Sequence, residues 1–176
     1  MVAEGLARGW QVQVRDLYDG FDPKMSISER ARYFSGFQGE ADVEMAELAT
    51  AEVLILVFPT WWSGFPAVLK GWFDRVWAPG LAYDHPQGAG AMIPRLTGLR
   101  AVLAVTTYGA PAWVDWLVMR RPLVRILRRG IVAPCAPGAR VRWRALYGVV
   151  AVERARLARF ETQIAADIAG IARRLG

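Results

Sequence analysis

Apolar and polar positions along the chain follow two different periods. Trp10, Val12 and Val14 alternate with Gln11, Gln13 and Arg15, the period of two that a half-buried strand requires. From Asp19 to Gly39 the pattern dissolves and is punctuated by Gly20, Pro23, Gly36 and Gly39. A long loop with a short helix around Ile27 to Tyr33 is expected there. Glu40 to Ala51 has helical character and leads into the unbroken apolar run Val53–Phe58, stopped by Pro59. A run of strand length without a polar face predicts a strand covered on both sides.

The second half repeats the alternation. Pro66 suits the first turn of a helix, and Phe65, Leu69, Phe73 and Val76 follow at spacings of four, four and three before Pro79 and Gly80 end it. Leu99 to Thr107 reads as another buried strand. Trp113 to Arg129 reads as an amphipathic helix that Pro122 breaks in two, and Val141 to Tyr147 as a third strand. Leu157, Phe160, Ile164, Ile168, Ile171 and Leu175 recur at three and four, which predicts a terminal helix. Strands alternating with helices imply an α/β domain with a largely parallel sheet. Ligands of such sheets bind at the carboxyl ends of the strands. The turns after Phe58 and after Val105 are therefore the candidate sites.

Composition narrows the class. With 176 residues, 54% of them apolar and 22% charged, the chain has the material for one packed core and is expected to form a single domain over 1–176. Its longest apolar stretch, Val53 to Trp62, is half the roughly 20 residues of a membrane span. The opening MVAEGLARGWQ carries no secretory signature, so a cytoplasmic location is the expectation. A single cysteine, Cys135, excludes an internal disulfide and reads as structural; no cluster of Cys and His offers a metal site. The net charge is +6, and it is unevenly placed. No Asp or Glu occurs from Trp116 to Val152, an interval holding Arg120, Arg121, Arg125, Arg128, Arg129, Arg140, Arg142 and Arg144. This is either a solvated face or a surface for an anionic nucleotide, an acidic partner or an acidic membrane. No nucleic-acid-binding motif accompanies it.

The two candidate turns share a chemistry. Thr60, Trp61, Trp62, Ser63 and Gly64 follow the first strand, and Thr106, Thr107, Tyr108, Gly109 and Ala110 follow the second. Aromatic faces can stack on a planar ring while hydroxyls and backbone N–H groups bond its edge. Glycine lets a ligand approach the backbone closely. The same tryptophans would also suit a core or an interface, and the second turn an ordinary strand-to-helix turn with a Thr cap.

The run FPTWWSGFPAVLKGWFDRVWAPGLAY, Phe58 to Tyr83, resembles the corresponding stretch of the NAD(P)H dehydrogenase (quinone) family, which includes quinone reductases, drug-activity modulators and potassium-efflux ancillary oxidoreductases. The resemblance implies a flavodoxin-like, doubly wound parallel sheet. It also implies a homodimer holding FAD, or FMN in some members, with NAD(P)H as co-substrate and a quinone-like acceptor reduced by two-electron hydride transfer. By position, Thr60, Trp61, Trp62 and Ser63 match the family's ring-contacting segment, and Thr106, Thr107, Tyr108 and Gly109 its second flavin loop. Ala82, Tyr83 and Asp84 match a segment near the substrate. No catalytic residue is identified; Tyr108 is a candidate hydrogen-bond donor to flavin or quinone. Lys70 and Asp74 fit a helix-face ion pair. The alternative is a non-catalytic relative that docks on an acidic or membrane-protein partner, as the potassium-efflux ancillary proteins do.

Two departures qualify the resemblance. Family members open with a strand, a loop of the His-Pro type that holds the flavin phosphate, and a helix. Here only Ala3 to Arg8 resembles the end of that helix, so the N-terminal strand and first loop are expected to be missing. A start assigned too far downstream, a truncation and a reduced relative would each account for this. Mammalian members also carry a Tyr and a His beyond the second flavin loop, where this chain has Trp113, Val114 and Asp115. Its one histidine, His85, is expected to be exposed and uninvolved.

Overall fold

A computed structural model describes residues 1–34, 41–86, 88 and 90–176. Gly36, Gly39 and Glu40, which the sequence assigned to a loop and to a helix start, lie outside the described residues. Three parallel strands form the sheet: β1 (Val53–Pro59), β4 (Ala101–Tyr108) and β5 (Arg140–Tyr147), in the order β1-β4-β5. A small antiparallel pair, β2 (Tyr83–Asp84) and β3 (Ile93–Pro94), lies outside it. The helices preceding β1 are α1 (Val2–Leu6), α2 (Ile27–Arg32) and α3 (Asp42–Thr50), and α4 (Ala67–Val76) follows it. Between β4 and β5 come a π-helical turn at Val114–Val118, α5 (Pro122–Arg125), a second π-helical stretch at Ile126–Val132 and α6 (Ala133–Cys135). The long helix α7 (Arg154–Leu175) closes the chain. Among the described residues no helix is long and apolar enough to cross a membrane.

The central strand explains the layering. Successive side chains of a strand point to opposite faces, and β4 is apolar on both. Val102, Ala104 and Tyr108 enter one core cluster with Leu56, Phe58, Leu69, Phe73, Val76, Leu123 and Leu127. Ala101, Leu103 and Val105 enter a second with Leu146 and the α7 residues Phe160, Ile164, Ile168 and Ile171. The α7 stripe read from the sequence is therefore a core face. Pro122 breaks the preceding helical stretch as expected. The residue before a proline is disfavoured in the right-handed helical region, and Arg120 and Arg121 instead take φ values of 56° and 54°. Cys135 is buried, and Lys70 pairs with Asp74 on the exposed face of α4.

Two expectations fail. Residues 10–15 form no strand despite their alternation. A strand needs a ladder partner, and the described ladders of the sheet join β1 to β4 and β4 to β5, with none reaching residues 10–15. Trp10 packs instead against the α7-side core. Nor is β1 covered on both faces: Val57 is 61% exposed. With β4 on one flank and no described strand on the other, β1 is an edge strand, and its outward side chains lack the cover a central strand receives.

Between β1 and the N-terminal residues, the irregular segment 16–34 is anchored by charge. Glu29, with no exposed surface, accepts hydrogen bonds from Arg75 Nε (3.0 Å) and Nη2 (3.1 Å). The same carboxylate accepts the backbone N–H of Ser26 at 2.8 Å, while Ser26 Oγ accepts that of Glu29 at 3.0 Å, completing a capping box at the start of α2. Arg75 also donates to the Asp22 carbonyl and lies over the Phe21 ring. Close packing accompanies the pair: a Cβ on Gly71 would fall 2.3 Å from the Pro23 carbonyl oxygen. Glu29→Ala leaves a buried guanidinium without its counter-charge, so it is expected to cost about 3–5 kcal/mol in urea denaturation. A loss below about 1 kcal/mol would mean that the pair does not anchor the segment.

Candidate functional site

The site is built where β1 and β4 leave the sheet. Their register sets Phe58 opposite Thr106 and Pro59 opposite Thr107. Thr60 extends the ladder by one bond, its N–H donating to the Thr107 carbonyl at 2.9 Å, and its hydroxyl lies 2.9 Å from that of Thr106. The two turns singled out by the sequence are therefore side by side.

The first turn is tight and strained. Gly64 N–H donates to the Trp61 carbonyl at 2.7 Å, and Trp61 N–H to the Gly64 carbonyl at 3.1 Å. The two residues between them, Trp62 and Ser63, have φ values of 47° and 57°. Positive φ at both central positions marks a turn of the I′ kind, whose usual occupants are Asn and Gly. Left-handed backbone costs an L-residue roughly 1–2 kcal/mol. What the fold obtains is display: Trp61 is 60% exposed and Trp62 100% exposed. Across from them, a Cβ on Gly109 would meet nothing within 4 Å, so the backbone of the second turn is open to a ligand.

Beneath this opening lies a buried polar cluster. Tyr108, the candidate donor, is turned into the core, its ring stacked on Tyr147 at 4.8 Å between centroids. Its hydroxyl lies near Thr60 without a well-formed hydrogen bond. Tyr147 donates to Asp115 Oδ2 at 2.7 Å, and Asp115 is only 2% exposed with Oδ1 unpartnered. Arg121 stacks over the Trp116 ring at 4.3 Å, its backbone N–H donates to the Asp115 carbonyl at 2.8 Å, and its buried Nε has no hydrogen-bond partner among the described residues. Burial, with a hydrogen bond to the Asp115 carboxylate, pushes the Tyr147 pKa up to about 12. Burial and the charge of Asp115 raise that of Tyr108 as well. Both phenols stay protonated at neutral pH. Asp115 and Tyr147, 32 residues apart, were not selected from the sequence. The legible signal was position: Tyr147 ends the third parallel strand, directly opposite Tyr108 in register.

The third predicted segment is held separately. Ala82 is fully buried, Tyr83 bonds the Tyr33 hydroxyl at 3.0 Å, and Asp84 pairs with Arg95 at 2.7 Å. His85 is exposed, with its ring against those of Tyr83 and Phe34. These contacts tie the β2–β3 hairpin to Tyr33 and Phe34, away from the indoles of the first turn.

Residues 1–124 match the family described as Flavodoxin-like fold. The chain belongs to the flavodoxin-like fold family. It is similar to NAD(P)H dehydrogenase [quinone] 1 of Cavia porcellus, 35% identical over 124 residues, covering 58% of this chain and 44% of that protein. An uncharacterized NAD(P)H oxidoreductase of Haemophilus influenzae is 40% identical over 83 residues, covering 46% of this chain and 41% of that one. The chain thus spans less than half the length of these curated relatives. Among solved structures, an NAD(P)H:quinone oxidoreductase from Methanothermobacter marburgensis superimposes with a TM-score of 0.78 at 25% identity, covering 98% of this chain and 87% of that one. In this flavodoxin-like chain the strand-end turns occupy the place where open parallel sheets bind ligands.

Tyr147 supplies a pH-dependent test of the buried cluster. Its pKa is raised on folding from 10.0 to about 12, so its contribution to stability is complete below pH 10 and is lost as the pH rises through 12. Tyr147→Phe should destabilise the protein by about 1–3 kcal/mol at neutral pH, since Asp115 loses its donor. It should also flatten the fall in unfolding free energy between pH 10 and 12, with the other groups that folding raises, Tyr108, Tyr83 and Cys135, supplying what remains. Identical alkaline profiles for the two proteins would refute the assignment.

Proposed function

We propose that this protein is a flavin-dependent NAD(P)H oxidoreductase that reduces quinones by two electrons. The observation that carries this reading is the pair of exposed indoles, Trp61 and Trp62, held on a strained turn beside the Thr60–Thr106 hydroxyl pair. Backbone outliers of this kind cluster at ligand sites, and nothing in the core requires either tryptophan to be displayed. The names of the relatives point the same way.

The residues present fit the ring portion of a flavin. Trp61 and Trp62 offer stacking faces, Thr60 and Thr107 offer hydroxyls, and Gly109 leaves room for close approach of the backbone. When bound, FMN or FAD would supply the two-electron chemistry of hydride acceptance and donation. The chain's own part is to position and to exclude water. The Thr60–Thr107 bond fixes the spacing of the two turns, and the Tyr108–Tyr147 stack forms a buried floor that stays neutral. Of the Ala82–Asp84 segment, only Asp84 is exposed enough to border the acceptor on the hairpin side; Ala82 and Tyr83 are buried behind it. NADH and NADPH are both compatible with these residues.

A homodimer accords with a second feature. Trp113, Trp116, Leu117, Val118 and Met119 form an exposed apolar run directly after the second turn. Large exposed apolar patches mark interaction surfaces, and a second copy is the partner proposed for this one.

The test is titration of the protein with FMN and FAD, followed by assay of NAD(P)H-dependent quinone reduction. Saturable but weak flavin binding through the ring portion is expected, with NAD(P)H-dependent turnover in the presence of excess flavin. Trp62→Ala should weaken flavin binding by about 2- to 10-fold, the equivalent of roughly 0.5–1.5 kcal/mol of ring stacking. Flavin affinity indifferent to both Trp61→Ala and Trp62→Ala would remove the ring site from this turn.

A further inference from the structure

The arginine-rich interval from Trp116 to Val152 is not absorbed by the site at the carboxyl ends of the strands. Part of it reaches the other end of the sheet. Below the amino ends of β4 and β5 is a cavity of about 410 Å³ whose lining includes Arg100, Arg140, Arg142 and Arg174, with Ile171 and Leu175 as apolar wall. These arginines come from three separate stretches: the residue before β4, the first residues of β5 and the last turn of α7. Only the fold brings them together.

Their counter-charges can be counted. Asp167, almost fully buried on α7, binds Arg142 and is shared with Arg144. Burial opposes its ionisation, but hydrogen bonds from Arg144 and Arg142 prevail and hold its carboxyl below the usual range. It therefore acts as a fixed anion that orients Arg142. Arg100 donates to the Arg174 carbonyl at 3.0 Å and the Leu175 carbonyl at 3.1 Å, with the exposed Glu52 carboxylate at 3.8 Å. Arg140 and Arg174 pair with no carboxylate among the described residues. Five guanidinium groups, Arg144 included, thus face two carboxylates. Helix α7 also makes room for the arrangement. Gly170 sits in its interior, where glycine is unfavourable relative to alanine, and a Cβ there would stand 3.3 Å from Arg142 Nη2.

We infer that this cavity binds a multiply charged, phosphate-bearing anion. Arginine presents planar donors in a fork that matches phosphate oxygens, and Arg140 and Arg174, which have no carboxylate partner among the described residues, have forks to offer, with Arg100 and Arg142 adding positive charge to the same lining. The volume is that of a small-molecule site, and the Ile171–Leu175 wall leaves space for an uncharged portion beside the phosphates. The inference is independent of the proposed oxidoreductase activity, because the cavity lies at the opposite ends of the strands from the paired turns.

Calorimetric titration of the whole protein with inorganic pyrophosphate and with adenosine diphosphate, at physiological ionic strength, tests it. One-to-one binding is expected for at least one of the two. Equal affinities identify the phosphates alone as the recognised group, and tighter binding of the diphosphate nucleotide brings in the apolar wall. The double variant Arg140→Gln/Arg174→Gln removes two exposed side chains without carboxylate partners, so its fold should be retained, as circular dichroism will show. It should bind at least ten-fold more weakly. Arg125→Gln/Arg129→Gln, which removes the same charge elsewhere on the surface, should change binding less than two-fold. Absence of binding, equal losses in the two double variants, or displacement of the bound anion by riboflavin, which carries the flavin ring without a phosphate, would overturn the proposal, the last by assigning the anion to the strand-end site.

Discussion

The parallel register that sets Phe58 opposite Thr106 and Pro59 opposite Thr107 determines where both turns leave the sheet. A shift of one residue would reverse every side chain of β1 relative to its faces, taking Phe58 out of the core and the Thr60 hydroxyl away from Thr106. The register is enforced from both sides of β4. Val102 and Ala104 pack toward α4 and α5, Leu103 and Val105 toward α7, and the strand cannot slide without exposing one set. Tyr108, last in β4, then meets Tyr147, last in β5, and the stacked pair closes the end of the core.

A second constraint acts on the segment before the sheet. The Glu29–Arg75 pair joins a stretch of irregular backbone to α4, the helix that follows the first turn of the site. Buried ions tolerate little displacement, since each charge has lost its water and depends on the other. The capping box uses the same carboxylate to start α2, so a local helix signal and a long-range tether reside in one side chain. Gly71 lets the Pro23 backbone approach α4 closely enough for the pair to form.

Much of this architecture was legible because it follows from periodicity. The stripe on α7, the apolar run of β4 and the proline break before Pro122 are local patterns with local causes. What failed had a non-local cause. Residues 10–15 carry a strand's alternation, but alternation specifies only which side chains share a face, and the ladder needs a neighbour. The run of β1 looked fully buried because its composition is apolar, whereas cover depends on what lies beside it, and Val57 stands exposed. Within the candidate site, Thr60, Trp61, Trp62 and the Thr106–Gly109 turn were readable as turn chemistry. Asp115 with Tyr147, and the four arginines of the opposite cavity, were not, since each set is assembled from segments far apart in sequence.

The left-handed backbone at Trp62 and Ser63 has a consequence for how this surface can change over time. Glycine at either position would relax the turn, and at position 62 it would also delete the indole. Selection for stability and selection for recognition therefore pull in opposite directions at adjacent residues, as they do wherever strain is kept for function. The cost of holding the indole outward is met once, during folding, by the packing of the sheet beneath it. Under the proposed role, a planar ligand would meet a face that is already ordered, and the turn would surrender little backbone freedom on binding. A looser turn would reach the same contacts only by ordering itself anew for each ligand.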